Sequence, residues 1–167
     1  MADAYRRCFR HQFTLAGGHT QFRDNVIRHN TANAQMSSGG GGGKGIWASD
    51  RVRVQSNTLE HNTASMTASG WGGGLRASDS HGLLIDSNRV LSNSAMLGGG
   101  FHIVSDSSFT MTNNIVAGNI GSYQGGGMAF AVSASKGITG TLVHNTFAAN
   151  NQGLRQQFRH QRGGRDL

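Results

Sequence analysis

Residues 57–64 read Asn57-Thr58-Leu59-Glu60-His61-Asn62-Thr63-Ala64, with two asparagines placed five residues apart. Similar stretches follow at Asn88-Arg89-Val90-Leu91-Ser92-Asn93-Ser94-Ala95 and Asn114-Ile115-Val116-Ala117-Gly118-Asn119. The chain contains five such pairs, whose first members are 32, 31, 26 and 31 residues apart: Asn25/Asn30, Asn57/Asn62, Asn88/Asn93, Asn114/Asn119 and Asn145/Asn150. A repeat of this period indicates stacked structural units.

Apolar residues keep fixed places around the first asparagine of each pair. Three residues before it stand Phe22, Val54, Ile85, Met111 and Leu142, and two residues after it stand Ile27, Leu59, Val90, Val116 and Phe147. The residues between them are mostly polar or small, and the spacing of an amphipathic helix is absent. Alternation with a period of two indicates strands with one buried face. We therefore predict one strand that ends at the first asparagine and a second, shorter strand that ends at the second.

Glycine runs introduce a third apolar stretch in each unit. They cover residues 39–43, 72–74, 98–100 and 125–127, where we expect positive φ angles and close approach of neighbouring backbones. We place the bend between the first two strands at Asn57, Asn88, Asn114 and Asn145, because asparagine tolerates the left-handed backbone region. Asparagines stacked in this way would also hydrogen-bond one another from layer to layer.

Three short strands per unit, with corners at fixed sites, resemble a rung of the right-handed parallel β-helix superfamily, the pectin-lyase-like fold. The asparagine stretches and glycine triplets are most similar to repeats of bacterial surface and secreted proteins, including polymorphic outer-membrane-protein repeats. We predict an all-β, right-handed parallel β-helix (solenoid) over residues 20–152, with about five rungs of three strands. The resemblance implies an extracellular or cell-surface location in a bacterium. It does not define an activity, because this fold carries polysaccharide lyases, hydrolases and adhesins alike.

The formal net charge of +7 comes mainly from the two ends of the chain. Residues 1–23 and residues 153–167 each hold four arginines against one aspartate, whereas residues 24–152 hold seven basic and six acidic residues. We predict a poorly ordered basic tail at 1–19 and a disordered one at 153–167, because both are poor in apolar residues. A nucleic-acid partner is not expected, because a surface for one would align Lys and Arg with aromatic residues along one face.

Cys8 is the single cysteine, which excludes an internal disulfide and a Cys-x-x-Cys metal site. No stretch approaches the 18 apolar residues of a membrane-spanning helix. The first residues lack the apolar core of a signal peptide, so a signal of an exported parent protein would lie outside this chain.

Three aspartates are the candidate catalytic residues. Asp50, Asp79 and Asp106 each follow a serine shortly after the third apolar stretch. Stacked one layer apart, two of them would hold a Ca²⁺ ion or act as acid and base in glycoside cleavage. The alternative is that each Ser-Asp pair forms a turn at a corner. We otherwise predict no cofactor and no metal.

Aromatic and histidine side chains are the remaining candidates for a site. Trp71 and Tyr123, together with Trp47, would form a platform for stacking on a sugar, or would simply cover a rung. His29 and His61 precede the second asparagine of adjacent units and would stack, as a metal-binding pair or as polar corner residues.

The sequence is compatible with three hypotheses on function. The first is a non-catalytic structural or adhesive segment of a bacterial exported or cell-surface protein, with a polysaccharide or a host or cell-surface glycan as partner. The second is a carbohydrate-active module, a polysaccharide lyase or glycoside hydrolase, that uses the three aspartates. The third is a fragment without an independent function.

Overall fold

The computed structural model describes residues 20–32, 41–66, 69–104, 107–132 and 137–152. The regular structure of these residues consists of short strands, and they contain no helix. In chain order the strands are β1 (Gln21–Arg23), β2 (Val26–Arg28), β3 (Lys44–Trp47), β4 (Arg53–Gln55), β5 (Thr58–Glu60), β6 (Leu75–Ser78), β7 (Leu83–Asp86), β8 (Arg89–Leu91), β9 (Ser94–Leu97), β10 (Phe101–Val104), β11 (Ser107–Thr112), β12 (Ile115–Ala117), β13 (Ile120–Gln124), β14 (Met128–Ala131), β15 (Ile138–Val143), β16 (Thr146–Ala148) and β17 (Asn151–Gln152).

Within the described residues these strands stack in parallel into four sheets. The strands before the first asparagines form the sheet β1-β4-β7-β11-β15, and those between the two asparagines form β2-β5-β8-β12-β16. The strands after the glycines form β3-β6-β10-β14, and a shorter sheet contains β9-β13-β17. Because each unit adds a strand to successive sheets, the chain coils as a solenoid. Its five asparagine layers are separated by four turns, which confirms the predicted parallel solenoid.

A fourth short strand follows the second asparagine, in addition to the three predicted strands. It is seen as β9, β13 and β17, and in the first two layers as single bridges that join Thr31 to Thr63 and Thr63 to Ser94. Its register shifts between Gly121 and Gln124. This strand has no regular apolar alternation in the sequence, because it is short and interrupted.

The hydrophobic core runs along the axis of the solenoid. The predicted inward positions of the middle layers are buried, and Val54, Ile85 and Met111 have no exposed surface. The third sheet contributes apolar side chains from the opposite wall, among them Leu75 and Phe101. Burial of these side chains stabilises each layer by roughly 2 kcal/mol per residue.

Two asparagine ladders hold the layers in register. In the middle of one ladder, Oδ1 of Asn93 accepts hydrogen bonds from the backbone N and Nδ2 of Asn62, at 2.9 and 3.0 Å. Nδ2 of Asn93 donates in turn to the backbone oxygen of Leu59 and to Oδ1 of Asn119. The ladder of the first asparagines repeats these bonds. The predicted stacking of the asparagines is therefore confirmed.

The left-handed corner residue is the one before each asparagine, so the prediction that the asparagines themselves adopt this conformation is wrong. Positive φ angles of 49–65° occur at the residue before each of the ten ladder asparagines. The residues concerned are Asp24, Ser56, Ser87, Asn113 and His144 at one corner, and His29, His61, Ser92, Gly118 and Ala149 at the other. The left-handed residue is thus followed directly by the asparagine whose side chain joins the ladder.

The glycine runs form a further corner, with the positive φ angles and close backbone approach that the sequence predicts. The first glycine of each complete triplet has a positive φ, which is 66° at Gly72, 65° at Gly98 and 60° at Gly125. The third glycine packs against the ladder of the next layer, and a Cβ at Gly74 would lie 2.8 Å from the Gly100 oxygen. Side chains are therefore excluded from this corner by backbone contact. The predicted tails, residues 1–19 and 153–167, lie outside the described residues.

Candidate binding surface on the outer wall

The register separates two of the candidate aspartates. Trp47 pairs with Ser78, which places Asp79 at the level of Ala48 and Asp50 at the level of His81. The expectation that Asp50 and Asp79 stack on one edge is therefore wrong, because the strands align the layers and the Ser-Asp pairs do not. Asp106 lies outside the described residues.

Each of the two aspartates has a local partner. Asp50 lies with Oδ1 3.7 Å from Nδ1 of His81, and both side chains are more than half exposed. Asp79 has a positive φ of 49° and accepts a hydrogen bond from the Ser78 hydroxyl at 2.7 Å. These contacts correspond to a corner turn, which is the alternative interpretation of the Ser-Asp pairs.

Buried serines, and not the aspartates, stack from layer to layer at this corner. The backbone N of Ser49 donates to Oγ of Ser80 at 3.5 Å, and the backbone N of Ser80 donates to Oγ of Ser107 at 3.3 Å. Each hydroxyl also donates to a backbone carbonyl on its own side of the corner. This line of serines was not predicted from the sequence, although the separations of 31 and 27 residues follow the repeat.

The two corner histidines stack as expected. The rings of His29 and His61 are 5.3 Å apart and nearly parallel, at 4°. Among the residues that the structure describes, no three His, Cys, Asp or Glu side chains come together as a metal site requires. Ca²⁺ binding therefore stays a prediction without a described set of ligands.

An aromatic and cationic cluster covers the outer face of the third sheet. The guanidinium of Arg76 lies 4.7 Å from the ring centre of Trp47 and 4.4 Å from that of Trp71. The Trp71 ring also stacks on His102, with centroids 6.2 Å apart and planes at 27°. Arg76 is 8% and His102 2% exposed, whereas both indoles remain partly exposed. We call Trp47, Trp71, Arg76 and His102 the wall cluster.

Register explains how residues from three units meet in the wall cluster. Gly45, Arg76 and His102 occupy one column on strands β3, β6 and β10. Gly45 leaves the space that the Trp47 ring fills, because a Cβ there would overlap Cζ3 of that ring. The cluster was not predicted from the sequence, because its members come from three units and meet only through the register of the strands.

Trp71 is positioned by the loop that precedes it. The loop is held to the next layer along the chain, because the backbone N of Met96 donates hydrogen bonds to the backbone oxygens of Ser65 and Gly70. Trp71 then forms a single bridge with Leu97 of that layer. This anchoring brings the indole over both Arg76 and His102.

Tyr123 lies on the fourth sheet and not in the wall cluster. Tyr123 is 60% exposed, and its backbone oxygen accepts a hydrogen bond from Nε2 of Gln152. Its neighbour Gln124 pairs with Leu97, the residue that also bridges to Trp71. The two predicted ligand-binding aromatics therefore lie on neighbouring parts of the wall, two layers apart.

Burial sets the charges of the wall cluster. Burial lowers the pKa of Arg76 to about 10, partly offset by the nearby carboxylate of Asp79, so the guanidinium stays protonated at neutral pH. Burial and the Arg76 charge lower the pKa of His102 to about 4, so its imidazole is neutral there. Neither ring nitrogen of His102 has a hydrogen-bond partner among the described residues. The cluster therefore presents one fixed cation beneath two indoles.

We expect His102 to make the protein less stable in acid. Its folded-state pKa of about 4 lies below the usual value near 6.5, so the unfolded chain binds a proton first as the pH falls. The stability conferred by neutral His102 is complete above about pH 6.5 and is lost towards about pH 4. Between about pH 7.5 and about pH 4.5 the loss is about 2 kcal/mol, measurable by denaturant unfolding.

The contribution of His102 is isolated by comparing variants, because carboxylates also titrate in this range. His102→Gln should reduce the acid-induced loss of stability. The same acid dependence in His102→Gln and the wild type would contradict the assignment.

Comparison with known proteins supports this description of the fold. The described parallel sheets define the chain as a β-solenoid. A family model described as a right handed beta helix region matches residues 6–151, and the chain therefore belongs to this family. Searches of curated proteins and of solved structures found no match. No helix among the described residues is long and apolar enough to cross a membrane.

Proposed function

We propose that this chain is a non-catalytic structural or adhesive segment of a bacterial exported or cell-surface protein. The wall cluster is the observation that carries the adhesive part of this proposal. It presents two partly exposed indoles over the buried Arg76 on the outside of the third sheet. Tryptophan and arginine are the residue types that most often dominate binding energy at interfaces.

The proposed partner is a polysaccharide or a glycan of a cell surface. Indole rings offer apolar faces to the C–H groups of a sugar ring, and they are held here in one orientation. The guanidinium of Arg76 holds the two indole rings through cation–π contacts. The indoles therefore lose little side-chain freedom when a glycan binds. A parallel sheet held by two asparagine ladders gives the rigid support that such a surface needs.

The carbohydrate-active alternative has weaker support. It needs two carboxylates that converge on one bond, and the register separates Asp50 from Asp79. Localisation at a bacterial surface and the choice of glycan remain part of the proposal.

A binding experiment tests the adhesive proposal. We expect the full chain to bind at least one of two immobilised polymers, the acidic polygalacturonate or the neutral dextran. Trp71→Ala should weaken this binding at least about tenfold, which corresponds to about 1.4 kcal/mol of binding free energy. Tyr123→Ala is the matched control on the fourth sheet, and both variants should stay folded. Binding to neither polymer, or equal binding by Trp71→Ala, would overturn the adhesive proposal.

The same samples separate adhesion from catalysis. The wild type should release neither reducing ends nor unsaturated sugars from these polymers. Release that Asp79→Ala abolishes would replace the adhesive proposal by the carbohydrate-active one.

A further inference from the structure

The last described layer of the solenoid exposes side chains that belong to the core. Phe130 is 49%, Leu142 46% and Phe147 43% exposed. The residues in the same columns one layer earlier, Ile103, Met111 and Val116, have no exposed surface. An apolar end of this kind marks an interaction surface.

The asparagine ladders give the two ends of the solenoid opposite hydrogen-bonding character. In every inner layer the backbone N of the asparagine donates to Oδ1 of the next layer. Asn145 and Asn150 accept these bonds from Asn114 and Asn119, but no described residue accepts from their own backbone N. Among the described residues, the last layer therefore ends each ladder with a backbone donor that has no acceptor.

Within the part of the chain that the structure describes, the first layer ends each ladder with a side-chain oxygen that accepts no hydrogen bond. Asn25 and Asn30 donate to Oδ1 of Asn57 and Asn62. Oδ1 of Asn25 and Oδ1 of Asn30 receive no hydrogen bond from a described residue, although the same atom accepts two bonds in the layers above. The donors of one end thus match the acceptors of the other.

The apolar columns match in the same way. If the last layer of one copy lies on the first layer of another, Leu142 meets Phe22 and Phe147 meets Ile27, because these residues share columns in the repeat. Both Phe22 and Ile27 are only partly buried. Strands β15 and β16 of one copy would continue the parallel sheets of β1 and β2 of the other, with their backbone edges paired.

We propose that a second copy of this chain docks head to tail, with residues 138–152 of one copy on residues 20–32 of the next. The interface joins two different surfaces along the solenoid axis, so it does not close and the chains form filaments. This inference concerns a different surface from the proposed adhesive one. It rests on the ends of the solenoid, whereas glycan adhesion rests on its wall.

Sedimentation of the full chain over a series of concentrations tests the proposal. We expect species that grow beyond a dimer as the concentration rises. Phe147→Lys blocks one end and Ile27→Lys blocks the other, so each variant alone should stay monomeric. Their mixture keeps one working interface and should form a dimer and nothing larger. Tyr123→Lys, on the side wall, should assemble like the wild type.

A crosslinking experiment keeps the test valid if a lysine variant folds poorly. Asp24 and His144 are exposed corner residues in one column at the two ends. In a head-to-tail pair their Cα atoms would lie about one layer, roughly 4.8 Å, apart, within disulfide range. With Cys8→Ser, the pair Asp24→Cys and His144→Cys should give a ladder of disulfide-linked multimers. Asp24→Cys with Tyr123→Cys should give none.

Three outcomes would overturn the proposal. They are a monomeric wild type at every concentration, assembly by Phe147→Lys equal to that of the wild type, and no disulfide-linked multimers from the Asp24→Cys and His144→Cys chain. A monomeric wild type would mean that other residues of the same chain cover these ends.

Discussion

Alanine in place of Asn93 is expected to lower the free energy of unfolding by about 4 kcal/mol. The Asn93 side chain is fully buried and takes part in four hydrogen bonds to neighbouring layers. Its loss leaves the Leu59 oxygen, Oδ1 of Asn119 and two donors of Asn62 without these partners. Each unsatisfied buried group costs about 1–3 kcal/mol. Urea denaturation followed by circular dichroism measures the effect.

Asn151→Ala is the matched control for the ladder. Asn151 has the same side chain but is exposed in β17, so its replacement should change stability by about 0.5 kcal/mol or less. If Asn93→Ala were as stable as Asn151→Ala, the ladder would not be what holds the layers together.

Asn93→Asp separates loss of the ladder from simple loss of volume. The carboxylate has nearly the same shape, but it cannot donate and would face the oxygens of Leu59 and Asn119. Burial would raise its folded-state pKa, so the stability of the variant should recover as the pH falls through that pKa. Asn93→Ala should show no such recovery relative to the wild type.

Alanine in place of Gly100 should cost about 3 kcal/mol. Its Cβ would overlap the Gly127 oxygen and would lie 3.2 Å from Cγ1 of Val116 and 3.3 Å from Cγ of Asn119. Backbone on two layers cannot withdraw without breaking the parallel ladder. Thermal or urea unfolding of the purified variant measures the loss.

Gly137→Ala is the control for the glycine corner. No atom lies within 4 Å of a Cβ at this position, so the variant should be as stable as the wild type. Equal losses of stability in Gly100→Ala and Gly137→Ala would show that glycine contributes through backbone entropy and not through close packing.

The fold was predictable because its two determinants recur in every unit. Alternating apolar residues such as Val54 and Leu59 indicate strands, and the asparagine pairs mark where one layer repeats the last. The left-handed conformation was predicted at the asparagines, but it is found at the residue before each of them. Asparagine suits both a left-handed corner and an amide ladder, and the true corner residue varies from Asp24 to His144, so no residue type marks it.

The candidate site was less predictable, because it depends on contacts between layers. The Ser-Asp pairs look equivalent along the chain, but the strands align Asp50 with His81 and join Ser49 to Ser80. The wall cluster depends in addition on the missing side chain of Gly45, which lets Trp47 lie against Arg76.

Local alternation and a regular repeat were thus enough to define a parallel solenoid and the side chains inside it, because inward positions follow from the backbone period alone. Contacts between outward side chains were decided only by the stacking of the layers in the tertiary structure. Such contacts depend on register and on how each loop returns to the wall, as at Trp71. Neither property is encoded within a single repeat, since each arises from residues that lie a full turn apart.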